Sequence, residues 1–182
     1  MAPLVALLVS CGATNDRATV ATSLPPALSS SAPCKTPHPA PSLSPADVAQ
    51  VAAARSAYEQ IIAQMEPARL ENTKRLDDAL KRADAAGAQT AVAHGLSQTT
   101  MILDFLRSVT VPLAMQPDTL SFLRAEQNVL VADQTFVAVR THNAIRNALH
   151  QRVFYSVLAE NAGNQFRVDL GMTPFPCPYN GP

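Results

Sequence analysis

Residues 44–66 read SPADVAQVAAARSAYEQIIAQME, and this stretch decides the fold class. Ser44 supplies an N-cap oxygen, Pro45 takes the first helical position, where a missing N–H costs nothing, and Asp47 follows three residues after the cap, close to a capping box. Val48, Val51, Tyr58, Ile62 and Met65 then recur at spacings of three, four and seven, the signature of one apolar helix face. Pro67 withdraws a backbone donor and predicts a break or kink. The helical period resumes from Arg69 to Asp84, with Leu70, Leu76, Leu80 and Ala83 as a thin stripe among charges of both signs. Glu71–Arg75, Asp77–Lys81 and Asp78–Arg82 are acid-first pairs four apart, the favourable order on a helix. Because the signs alternate, no net field builds up, and the pattern predicts a solvated face.

Gly87 predicts a stop to that helix. A third helix is expected from about Gln89 to Val111, where Val92, Leu96, Leu103, Leu106 and Leu113 mark one face and Ile102, Phe105 and Val109 widen it into a broad apolar surface suited to the centre of a core. Asp104 and Arg107, three apart, read as an ion pair at its rim. Pro112 and Pro117 mark the exit. From Asp118 to Asn161 neither Pro nor Gly intervenes. Leu123, Leu130 and Val137 recur every seven residues beside Phe122, Val129 and Phe136, and the stripe drifts on to Ile145, Leu149, Val153 and Val157. One helix of that length would run roughly 60 Å. The segment is therefore expected either to bend near 141–143 or to project toward a partner chain, coiled-coil fashion. After Gly163 the helical signal ends. The expected fold is all-α: an antiparallel bundle of three to four helices over residues 45–165, after a disordered Pro/Ser-rich linker (11–44) and before an extended Pro-rich tail (166–182).

The 182 residues carry 14 basic and 14 acidic side chains. With no basic surplus, electrostatic capture of nucleic acid is not expected. No apolar run approaches the eighteen or so residues that span a bilayer. Residues 12–44 hold Pro25, Pro26, Pro33, Pro37, Pro39 and Pro41 among Ser, Thr and Ala. Such a segment buries too little apolar surface to offset chain entropy, and it reads as a tether.

Upstream of the tether, residues 4–9 read LVALLV, and Leu8-Val9-Ser10-Cys11 is followed by Gly12. The tetrapeptide resembles the lipobox of bacterial lipoproteins: an aliphatic residue, a small or aliphatic one, a small one, then Cys. The resemblance implies that the Cys11 thiol carries a diacylglycerol, that residues 1–10 are removed as a signal peptide, and that Cys11 becomes the mature first residue. It implies a membrane partner through the lipid anchor and a place on the extracytoplasmic face of a cell membrane. Two acyl chains hold a protein where one holds it only marginally. The apolar run is shorter than the usual seven to fifteen residues and no Lys or Arg precedes it, which leads to the expectation that translation begins upstream of Met1.

With Cys11 taken by lipid, Cys34 and Cys177 remain, each flanked by Pro and outside the helices. They are expected to form a disulfide, closing a loop of more than a hundred residues. Such a bridge contributes roughly 4–5 kcal/mol in the chain-entropy model. Free thiols and pairing between chains stay open as alternatives. No CxxC and no Cys/His spacing points to zinc. His142, Arg146 and His150 share a helix face, but the imidazoles are two turns apart with a cation between them, a solvated face rather than a ligand set. Glu126, Asp133 and Arg140, seven apart, read as a rim beside the apolar stripe. His94, with Tyr58 or Tyr155 across a bundle, is a minor alternative as a metal or haem ligand. No HExxH, GxSxG or P-loop occurs. The expectation is a non-enzymatic protein with no catalytic residues, no metal and no cofactor. Its helices serve a protein partner, self-association or scaffolding. The alternative is a small-ligand binder with a cavity near Asp104 and the Tyr58 face.

Overall fold

The computed structural model describes residues 34–176. The expectations for Cys11, Cys177, the signal segment, most of the tether and the last residues of the tail lie outside them. Four helices follow in order: α1 (Pro45–Lys81), α2 (Ala85–Ser108), α3 (Gln116–Ala138) and α4 (His142–Asp169), with a single 3₁₀ turn at Leu113–Met115 before α3. Short connections fold them into an all-α antiparallel bundle in which α1 packs on α2, α2 on α3 and α3 on α4. Among the described residues no helix is long and apolar enough to cross a membrane.

α1 starts as expected. The Ser44 side chain accepts from the Asp47 N–H and the Asp47 carboxylate accepts from the Ser44 N–H, so the capping box is complete. The expected break at Pro67 does not occur: α1 runs straight through it for 37 residues. The carbonyl that loses its donor belongs to Ala63, and both residues face solvent, so water can satisfy it. Packing on either side, through buried Met65 and buried Ala79, holds the two halves in line. Val48 and Leu70, expected on apolar helix faces, are exposed instead, and so is Leu113, which lies past the end of α2 in the 3₁₀ turn.

α1 ends at Lys81 rather than near Gly87. Ala83 takes the left-handed position with φ of 52°, and the Asp84 N–H returns to the Ala79 carbonyl while the Ala83 N–H returns to Leu80. That is a Schellman closure without its usual glycine. Gly87 lies inside the first turn of α2, where its N–H donates to the Asp84 carboxylate at 2.8 Å. A Cβ there would meet that same carboxyl group, so a larger residue would have to push the Asp84 side chain aside. The long segment expected from Asp118 to Asn161 is two helices. Thr141 caps α4 by accepting from the Ala144 N–H, and Gln89 closes the end of α3 by donating to the Phe136 and Val139 carbonyls at 2.7 and 2.8 Å. The fold-back lets the apolar faces of α3 and α4 bury each other.

α4 also continues past Gly163 to Asp169. Gly163 packs against Phe122, where a Cβ would approach the ring to 3.1 Å. The turn beyond it carries Phe166, fully buried, whose ring meets Tyr58 of α1 at 5.5 Å, Phe105 of α2 at 6.3 Å and Phe122 of α3 at 5.8 Å. This aromatic cluster, with Met65, Ile102, Leu106, Met115 and Leu170, is the core at the pole where α1 begins and α4 ends. The opposite pole is built from small residues, Ala79, Ala85, Ala88 and Ala148, around Phe136, Ile145 and Leu149. α4 closes on Gly171, whose φ of 69° completes a second Schellman motif through Met172 N–H to the Arg167 carbonyl.

Candidate functional site

Residues 34–44 are extended, but they are strapped to α4. The Lys35 N–H donates to Asn161 Oδ1 at 2.9 Å. Gln165 clamps the His38 backbone from both sides, accepting from its N–H at 2.8 Å and donating to its carbonyl at 3.2 Å. The end that follows α4 returns to the same helix: Asn164 accepts from the Phe175 N–H at 2.8 Å and donates to its carbonyl at 3.1 Å, while Arg167 stacks over the Phe175 ring. Cys34, at the head of the strap, is disulfide-bonded.

The Gln165 clamp sets His38 beside two carboxylates. His38 Nε2 lies 3.3 Å from Asp118 Oδ2, and one ligand atom from each of His38, Asp118 and Asp169 falls within a sphere of mutual distances under 4.8 Å. Asp118 stands in the first turn of α3, where the helix dipole favours a carboxylate. Asp169 is the last residue of α4, at the negative end of its dipole, and is only 2% exposed. Its Oδ1 accepts from Gln165 Nε2 at 2.9 Å, but its buried Oδ2 has no hydrogen-bond partner. Burial, with Asp118 adding to it against the Gln165 bond, pushes the Asp169 carboxyl up to about 6. The hydrogen bond from His38 Nδ1 to the Pro39 carbonyl, 3.1 Å, raises the His38 pKa, and the two carboxylates add to it. Fixing the proton on Nδ1 directs the Nε2 lone pair of the neutral ring toward Asp118. A proton or a cation between these groups relieves the repulsion. Beside them a groove of about 540 Å³ opens between the strap, α3 and α4, lined by Lys35, Ser121, Arg124, Asn128 and Asn161 among others.

A second polar constellation is interior. Asp133 is 4% exposed and sits 2.8 Å from Arg152 Nε. The pair is an ion pair rather than an aligned hydrogen bond, since neither atom finds a well-directed partner. One helical stretch back along α3, Glu126 is pushed up to about 7 by burial, with the Asp133 charge adding to it. The rim expected for Glu126, Asp133 and Arg140 is therefore corrected. Asp133 is buried and Glu126 half-buried on the stretch of α3 between Phe122 and Phe136, and only Arg140 is fully at the surface, donating to the Val137 and Val139 carbonyls.

The other expected positions separate. His142 and Arg146 are exposed and His150 is half-buried along α4. His94 lies on the surface, where its Nδ1 sits 3.2 Å from Arg75 Nη1, away from Tyr58 in the aromatic core. Asp104 and Arg107 form an exposed pair at 3.0 Å. Nearby, an open groove of about 400 Å³ between α1 and α2 is lined by Ala57, Ile61, Met101, Asp104 and Phe105. The sequence reading missed the His38–Asp118–Asp169 group because its members are widely separated in the chain and His38 reads as tether. No family profile, no curated protein and no solved structure matches this chain.

Proposed function

We propose that the protein is a non-enzymatic, lipid-anchored envelope protein whose helical bundle is held off the membrane by a tether and offers its outer faces to a protein partner. The observation that carries this reading is the way the two chain ends meet the bundle. Lys35 is fastened to Asn161 and Phe175 to Asn164, one turn apart on α4. Cys34 is therefore one residue, and Cys177 two residues, from anchor points on a single helix. Two extended residues span about 7 Å, enough for Cys177 to reach Cys34 and close the bridge expected from the sequence. A tether starting at Cys11 then transmits load into the C-terminal third of α4 instead of peeling α1 from its N-terminus. The second half of α1 suits a partner: Leu70 and Leu80 stay exposed among the Glu71–Arg75 and Asp77–Lys81 pairs.

The small-ligand alternative would use the groove at Asp104. That groove is open along its length and does not include Tyr58 among its lining residues, so it suits a side chain of a partner better than an enclosed ligand.

The test uses protein expressed in its own host. Cys11→Ala should shift the protein from the detergent phase to the aqueous phase, and retention in the membrane fraction would overturn the anchor. Intact-mass and non-reducing peptide analysis should show acylation at Cys11 and a Cys34–Cys177 bridge within one chain. Cys34 and Cys177 both alkylated in freshly isolated material would reject the bridge.

A further inference from the structure

We propose that His38, Asp118 and Asp169 form a binding site for one divalent first-row transition-metal ion, which locks the N-terminal strap onto the ends of α3 and α4. The donor set is one imidazole nitrogen and two carboxylates, from three segments that meet only in the folded chain. This mixture suits zinc, manganese or ferrous iron, whereas magnesium and calcium prefer all-oxygen shells. Metal–ligand bonds of about 2.1 Å put neighbouring ligands of a tetrahedral ion about 3.4 Å apart. His38 Nε2 and Asp118 Oδ2 already stand 3.3 Å apart.

An independent feature points to a missing positive partner: Asp169 is 98% withdrawn from solvent, yet its Oδ2 accepts no hydrogen bond. The supports around the ligands are those a metal site uses. His38 Nδ1 is turned to the Pro39 carbonyl, which leaves Nε2 as the donor atom, and Gln165 holds Asp169 Oδ1. The same Gln165 clamps the His38 backbone, so ligand and strap are placed by one side chain. A cation is also favoured at the C-terminal end of α4 by the helix dipole. Three protein ligands leave at least one coordination position, and the groove beside His38 and Asp118 has room for the water that would fill it.

The experiment is calorimetric titration of ZnCl₂ into the chelator-stripped full chain at pH 7.5, with MgCl₂ as the comparison. The expected result is one zinc ion per chain, bound at micromolar concentration or tighter and at least tenfold more tightly than magnesium. His38→Gln, Asp118→Asn and Asp169→Asn should each weaken zinc at least tenfold, while the double variant His142→Gln/His150→Gln should leave it unchanged. Zinc should raise the thermal midpoint of the wild type and leave that of His38→Gln unmoved. His38 sits on the exposed strap, so this variant keeps the bundle, and helical dichroism checks the other two. Absence of saturable zinc binding, magnesium binding of equal strength, or zinc binding that survives His38→Gln would each overturn the proposal. None of these outcomes depends on whether Cys11 is acylated.

Discussion

Glu126 offers the most searching test of the bundle interior. Its carboxyl is pushed up from 4.5 to about 7 because packing against the bundle withdraws it from water, with the Asp133 charge adding to the cost of ionising it. The groups acting on it are Asp133 on its own helix and the Tyr58 hydroxyl on α1, and Asp133 is itself paired with Arg152 of α4. The folded chain thus holds the Glu126 proton more tightly than the unfolded chain does. Stability is full below about pH 4.5 and is lost as the pH rises through about 7, because folding then buries an uncompensated charge. At about 1.4 kcal/mol per pKa unit, the penalty approaches about 3 kcal/mol at pH 8, of which about 2.5 kcal/mol develops above pH 5. Glu126→Gln keeps the shape and removes the ionisation. Urea unfolding followed by far-ultraviolet dichroism at pH 5 and pH 8 measures the difference. With a slope of about 2 kcal/mol per molar for a domain of this size, the variant's midpoint should gain about 1 M on the wild type between the two pH values. Asp169, raised to about 6, contributes in the same direction to both proteins and cancels in the comparison. Parallel pH profiles for the two proteins would refute the burial argument.

Two backbone substitutions test how α1 tolerates its irregular residues. Pro67→Ala restores the N–H that the Ala63 carbonyl lacks and should raise stability by about 2 kcal/mol, read as a higher urea midpoint with an unchanged slope. No gain would mean that the helix already relieves the proline in another way. Ala83→Gly removes a Cβ from the left-handed position at φ of 52° and should stabilise by about 1 kcal/mol, read in the same assay. A loss would show that the Ala83 methyl group contributes more to the alanine-rich core than its conformation costs.

The elements that local chemistry controls were legible in the residues themselves. Ser44-Pro45-Ala46-Asp47 reads as a helix start and forms a full capping box. The apolar positions Tyr58, Met65, Phe105, Phe122 and Phe136 all reach the core. The Asp104–Arg107 pair lies at the surface, where its spacing puts it. The readings that did not hold concern residues whose local preference is overridden by neighbours distant in sequence. Pro67 remains inside a helix because packing on both sides of it outweighs a lost bond. Gly163 continues α4 because Phe122 needs the space its missing side chain leaves. The segment after Ala138 breaks because α4 must return along α3 to bury its face, and Thr141 was there to cap it.

The order of apolar and polar residues, with caps and prolines, was enough by itself to make this chain an antiparallel helical bundle, since amphipathic period and end signals act within a few residues of one another. Only the tertiary structure decided that the last turn of α4 belongs to the core, that Asp133 is buried with Glu126 half-buried on the same helix, and that His38 meets Asp118 and Asp169. Those are consequences of burial and of electrostatics across space. They depend on which helix ends share a pole, and no spacing along the chain encodes that.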